Sequence, residues 1–144
     1  MEEKMKRPTI VGNSIKIPSS QEYLVDIDSF LEGILRGYGV GESAIADIAI
    51  SVTEIVNNGI IHGNKADIKK VVSVSISKVD SEIEITITDQ GPGFDPTTVQ
   101  SPIEEKNLMR EVGRGIFIVK SLMDSVVIDT KKQKGTRVVL TKRI

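Results

Sequence analysis

The sequence predicts an α/β protein, a two-layer sandwich in which helices cover one face of a mixed, mainly antiparallel sheet. Three observations predict it. Residues 71–77 (VVSVSIS) and 82–88 (EIEITIT) alternate apolar and polar side chains without a break, the period of strands with one buried face. Ile45, Ile48, Ala49, Val52, Ile55 and Val56 recur at three- and four-residue spacing, the period of a helix with one buried face. The 144 residues suffice for one domain with a real core, and no stretch reads as a domain boundary.

In chain order, residues 1–7 are charged and expected to be loose. Ile10 to Ile17 reads as an edge strand ended by Pro18. Ser19 or Ser20 offers a helix N-cap, and Tyr23, Leu24, Ile27, Phe30, Leu31, Ile34 and Leu35 keep helical spacing as far as Arg36. Gly37, Gly39 and Gly41 break that helix. The central helix spans 46–64, with Gly63 and Asn64 as its stop. Val79-Asp80-Ser81 joins the two alternating strands as a hairpin. Residues 89–96 (DQGPGFDP) form a glycine- and proline-broken loop, and 97–112 read as a flexible polar segment with one turn of helix. Gly113-Arg114-Gly115 opens a short helix carrying Ile116, Phe117, Val119, Leu122 and Met123. Val126–Ile128 and Thr136–Leu140 are the last strands, joined by KKQKG. The sum is three helices and about five strands.

Composition narrows the function. Lys plus Arg number 19 against 20 for Asp plus Glu, so no basic field for gripping nucleic acid is present. The absence of cysteine excludes disulfides and thiolate metal sites and fits a reducing cytoplasm. No apolar run approaching the roughly 20 residues of a membrane span is read, and MEEKMKRPT lacks a signal-peptide core. The expected location is the cytosol.

Four blocks carry chemistry. Glu54 and Asn58 lie one helical turn apart on one face. Mg²⁺ takes oxygen ligands and uses few protein groups beside substrate phosphates. The Asn58 amide oxygen suits that role, and the Glu54 carboxylate can accept a proton beside the terminal phosphate. Alone, the pair reads more readily as a polar stripe on a surface helix. Asp89 ends a strand and can accept a hydrogen bond from an exocyclic amine such as that of adenine. Gly91 and Gly93 let a flat ring approach the backbone, though Asp, Gly and Pro are also common turn residues. Gly113-Arg114-Gly115 before a helix offers free amides to an anion, and Arg114 either adds charge or points to solvent. Gly135 suits a turn, and the Thr136 hydroxyl can bond a base ring or a nearby water.

In this order the blocks resemble the N, G1, G2 and G3 boxes of the GHKL ATPase superfamily, which includes gyrase, heat-shock chaperones, histidine kinases and mismatch-repair ATPases. The resemblance runs from about Ile15 to the C-terminus. SVTEIVNNGIIHGN, DQGPGFD and GRGIFIVKSLMD are most similar to the anti-sigma factor serine kinases of bacteria. The resemblance implies a Bergerat-type ATPase fold over residues 1–144, with an ATP lid at about 97–115. It implies ATP and Mg²⁺ as cofactors, Glu54 as general base and Asn58 as metal ligand. Asp89 would bind the adenine amine, with Gly93 lining the base and Thr136 assisting. Gly113 and Gly115 would close the lid. It further implies a serine of a STAS-type anti-anti-sigma factor as substrate, a sigma factor as partner, and a homodimer with no nucleic-acid or membrane contact. The lone histidine, His62, is expected to be a satisfied helix-end residue. The phosphoacceptor helix of sensor histidine kinases and the transducer domain of gyrase-like ATPases are not expected. Two other functions fit the same blocks: a nucleotide-sensing binding module without phosphotransfer, and a switch kinase acting on STAS scaffolds without sigma binding. Glu54 favours a kinase, because binding alone needs no base.

Overall fold

The alternating residues 71–88 form the middle of the sheet. The computed structural model describes residues 7–91, 102–131 and 135–144, with the backbone alone for 102–111 and 131. Strands β1 (Thr9–Val11), β2 (Ser14–Pro18), β3 (Val71–Val79), β4 (Glu82–Thr88), β5 (Ser125–Lys131) and β6 (Gly135–Arg143) lie in the order β1-β2-β3-β4-β6-β5. All five neighbouring pairs are antiparallel. Ile15 and Ile17 of β2, Val72, Val74 and Ile76 of β3, Ile83, Ile85 and Ile87 of β4, and Val138 and Leu140 of β6 are buried on one face. Register aligns them, with Val74 opposite Ile87 and Ile76 opposite Ile85. The other face carries serine, threonine and charge, including a 2.7 Å hydrogen bond between the Ser14 and Ser75 hydroxyls.

Helices α1 (Leu24–Gly37), α2 (Glu42–Asn58) and α3 (Pro102–Leu122) complete the sandwich. Ile27, Leu31 and Leu35 of α1, Ile48, Val52 and Val56 of α2, and Val119 of α3 join the strand residues in one core. Truncating any of these larger side chains to alanine costs about 2–5 kcal/mol. Ser20 caps the 3₁₀ turn Gln21–Tyr23 that leads into α1, its hydroxyl accepting from Glu22 N at 3.4 Å. Arg36 at the end of α1 reaches Glu32 at 2.8 Å and Glu42 at 2.7 Å, which ties α1 to the first turn of α2. Its hydrogen bond and charge hold the Glu42 carboxyl below the usual carboxylate range. Lys142 of β6 joins both layers. Its Nζ donates to Leu122 O at the end of α3 at 2.6 Å and pairs with Asp47 of α2 at 3.1 Å.

The structure corrects the sequence reading at four places. Ile10–Ile17 is not one edge strand but a hairpin, β1 and β2, turned by Gly12-Asn13. Gly12 has φ 58°, which suits the first central position of a type II′ turn. The edge is therefore β1, and β2 is internal. Second, α2 starts at Glu42 and runs on as a π-helical turn over Gly59–Gly63. Third, that stretch of 22 residues is long and apolar enough to cross a membrane, contrary to the sequence reading. Its apolar stripe lies in the core beside α1 and the sheet, as a core helix requires. Fourth, residues 102–112 are helical rather than a flexible segment with one turn. Pro102 suits a first helical position, and Glu104, Glu105, Lys106, Leu108, Met109 and Arg110 are strong helix formers whatever their periodicity. Most of the expected loose N-terminus, residues 1–6, and the first part of the expected lid, 97–101, lie outside the described residues.

Candidate functional site

Helical spacing puts Glu54 and Asn58 on one side of α2, and both are half-buried. Among the described residues, neither side chain takes a hydrogen bond or an ion pair. Asn57 has a different role: its Oδ1 accepts from Gln21 Nε2 at 2.8 Å, which links α2 to the start of α1. Gly115 of α3 faces the pair. A methyl group there would stand 3.0 Å from Glu54 Oε1 and 3.5 Å from Asn58 Nδ2.

The π-helical turn carries α2 to Asp89. A methyl on Gly59 would lie 3.4 Å from Asp89 Cβ, and one on Gly63 would collide with Asp89 Oδ2. Gly91 closes the same corner, because a methyl there would run into the Gly63 carbonyl. Asp89 is buried, and its Oδ1 accepts from Gly91 N at 3.0 Å and Thr136 N at 3.2 Å. Backbone pairing between Asp89 N and Thr136 O at 3.0 Å adds a third link. Gly135, at φ 84°, stands so close to the Asp89 carbonyl that a side chain would collide with it. Burial pushes the Asp89 carboxyl above its ordinary pKa, opposed in turn by the Gly91 amide, the Thr136 amide and the charge of Lys70.

The structure thus gathers Glu54, Asn58, Asp89, Gly91, Gly115 and Thr136 around the C-terminal end of α2. Thr136 holds the Asp89 carboxylate through its amide. Gly113 and Arg114 are exposed on α3. They and Gly115 lie inside that helix, not at its start, so their amides are committed to helical bonds. Gly93 lies outside the described residues. Gly63 and Asn64 end the helix as expected, but sequence reasoning missed the room that Gly59 and Gly63 leave for Asp89, and it gave Gln90 no role. The signal for the first two was glycine at four-residue spacing at the end of an otherwise apolar helix.

No group of three or more His, Asp or Glu able to hold a metal occurs among the described residues. Asn58, with its amide unengaged beside a carboxylate, fits Mg²⁺ held jointly with phosphate oxygens.

A family model described as a histidine kinase-like ATPase domain matches residues 17–142. A serine-protein kinase RsbW of Staphylococcus aureus strain JH9 is 31% identical over 137 residues, covering 90% of this chain and 85% of the relative. The RsbU and RsbW domains of a Mycobacterium tuberculosis protein, known from a crystal structure, superimpose with a TM-score of 0.67 at 20% identity. That match covers 92% of this chain and 32% of the other, so the chain spans about a third of that structure's length. A histidine kinase domain from a blue-light activated histidine kinase of Erythrobacter litoralis gives a TM-score of 0.54 at 18% identity, over 94% of this chain and 65% of that one. Both structural likenesses speak to the fold. The chain belongs to the histidine kinase-like ATPase family and, within it, to the serine-protein kinases of the RsbW type.

Proposed function

We propose that the chain is an ATP-dependent serine-protein kinase and anti-sigma factor. In this reading it binds a sigma factor and phosphorylates a serine of a STAS-type anti-anti-sigma factor, as a cytoplasmic homodimer. The observation that carries the reading is the approach of Gly115 to Glu54 and Asn58, with Asp89 one helical turn further on. In this reading a base, a metal-binding amide, a purine-reading carboxylate and a glycine-bearing helix act together at the C-terminal end of α2.

Asp89 accepts the adenine amine. Oδ1 already takes two amides, so Oδ2 is the oxygen left for it. Gly91, and by expectation Gly93, let the ring lie against the backbone, and Thr136 fixes the carboxylate. Asn58 would hold Mg²⁺ by its amide oxygen, and the metal would supply neutralisation of phosphate charge. Glu54 takes the proton from the attacking serine hydroxyl as the new P–O bond forms and ADP leaves. Where α3 opens at Gly113–Gly115, these residues close on the phosphates, and ATP and ADP states favour different partners through contacts with this segment.

Incubation with γ-labelled ATP and a candidate STAS protein tests the reading. Label should appear on a serine. Glu54→Ala should cut transfer by about 10²–10⁴-fold, the usual worth of a general base, with ATP binding largely intact. Transfer at the normal rate in that variant would remove Glu54 from the role. No label on any STAS serine would reject the kinase reading in favour of a nucleotide-sensing binder. Capture of a sigma factor from a mixture of purified sigma factors separates an anti-sigma kinase from a switch kinase that binds none.

A further inference from the structure

Asn64 has no part in the chemistry described above, yet it is buried to 1% exposure and every polar atom of its side chain is used. Its Nδ2 donates to Ser19 Oγ at 2.9 Å and to Val71 O at 3.0 Å. Its Oδ1 accepts from Gln90 N at 2.8 Å. Gln90 Oε1 in turn accepts from Val71 N at 2.8 Å. Asn64, Gln90 and Val71 therefore close a ring of three hydrogen bonds. Asn64 N also donates to Gly59 O at 2.7 Å and closes the π-helical turn.

The ring acts on the peptide that follows Asp89. The Gln90 N–H and the Asp89 carbonyl belong to one rigid plane. Asn64 holds the N–H edge, and Gly135 crowds the carbonyl edge. With that plane fixed, the backbone orientation of Asp89 is fixed, and so is the direction in which its carboxylate leaves the chain. A hydrogen-bonding site discriminates only when its acceptor is held in place. If it can swing, it re-pairs with water or with another edge of the ligand.

We propose that Asn64 is a positioning residue that sets the purine preference of Asp89, favouring a base with an exocyclic amine over one with a carbonyl oxygen at that position. The inference rests on the assignment of Asp89 as the purine reader. Asn64 touches no nucleotide. It acts through the Gln90 amide, and its effect is on selectivity rather than on affinity for phosphate.

Calorimetric titration of the full chain with Mg·ADP and Mg·GDP tests this. The unaltered chain should prefer ADP. Asn64→Ala should lower the ADP-to-GDP affinity ratio about tenfold or more, the usual scale for losing one well-placed polar contact. Ser19→Ala is the control, because it removes one partner of Nδ2 and leaves the Asn64–Gln90 bond. It should lower the melting temperature and keep the ratio. A selective unaltered chain with Asn64→Ala equally selective overturns this inference alone. A loss of ratio in Ser19→Ala matching that in Asn64→Ala also overturns it, since selectivity would then follow general stability. If Asn64→Ala does not fold, Asn64→Asp carries the test, because it keeps the oxygen that faces Gln90 N–H. A retained ratio supports the role and a lost ratio overturns it. An unaltered chain that binds both nucleotides alike overturns the purine-reading assignment, and this inference with it.

Discussion

At the residue scale, Asp89 shows how a binding group costs stability. Burial raises its pKa in the fold above the unfolded value. The folded chain then holds the proton to higher pH than the unfolded chain, so stability tied to this group is full below the unfolded pKa. It falls as pH rises through the folded one. Asp89→Asn keeps an oxygen for the Gly91 and Thr136 amides and removes the buried charge. We expect this variant to melt about 3 °C higher at neutral pH, the effect of roughly 1 kcal/mol in a chain of this size. The gain should vanish in acid, below the ordinary aspartate range. Adenine nucleotide affinity should fall at least about a hundredfold, because an amide N–H₂ replaces the free acceptor. A gain that persists unchanged into acid would show that charge burial is not its source. The placement of Glu54 and Asn58 on one side of a helix and of Asp89 at a strand end was legible in the sequence, because each sits at a fixed place relative to a periodic element. What each glycine faces was not, since a glycine carries no pattern of its own: Gly63 ends the helix as read, and it also clears room for Asp89 Oδ2.

At the element scale, the strands and helices with strict periodicity were read correctly, and the errors fell where periodicity was short or absent. The β1–β2 hairpin was missed although Gly12-Asn13 is a two-residue turn signal, because three residues of β1 are too few to show alternation. The first half of α3 was missed because it was read as polar, although Leu108, Met109 and Val112 continue the three- and four-residue spacing of Ile116, Val119 and Met123 and its helix propensity is high. This correction matters for the proposed phosphate role. Amides inside a helix are already bonded, so Gly113–Gly115 can serve phosphates only if α3 opens there. Two glycines weaken it at that point by up to about 1 kcal/mol each. Gly113 has open space around the position of a side chain and no positive φ. Gly113→Ala should therefore fit, raise the melting temperature by about 2 °C, and weaken Mg·ATP binding severalfold. Unchanged affinity with raised stability would remove these amides from phosphate binding.

At the scale of the whole molecule, the order of the four blocks in the sequence pointed to a shared site; three blocks lie at the end of an element, and the fourth, Gly113–Gly115, lies inside α3, where Gly115 faces the C-terminal end of α2. The ties between blocks were not legible. The bond from Gln90 N to Asn64 Oδ1 spans 26 residues, and no local pattern announces such a pairing. The site therefore joins both layers: α2 and α3 contribute Glu54, Asn58 and Gly115, while the strand ends contribute Asp89 and Thr136. A ligand held by all of them adds cross-layer links that the unfolded chain cannot make, and it must stabilise the fold by mass action. Mg·ATP at a hundred times its Kd should contribute about 2.7 kcal/mol. In a chain of this length that corresponds to a rise of about 8 °C in melting temperature. If Asn58 holds the metal jointly with the phosphates, chelation of Mg²⁺ should remove most of the rise, and Asn58→Ala should show only the residual rise whether or not Mg²⁺ is present. Asp89→Asn should lose the rise under both conditions, because it removes recognition of the base rather than of the metal. An equal rise with and without Mg²⁺ in the unaltered chain would reject the metal role of Asn58 and leave the purine role of Asp89 standing.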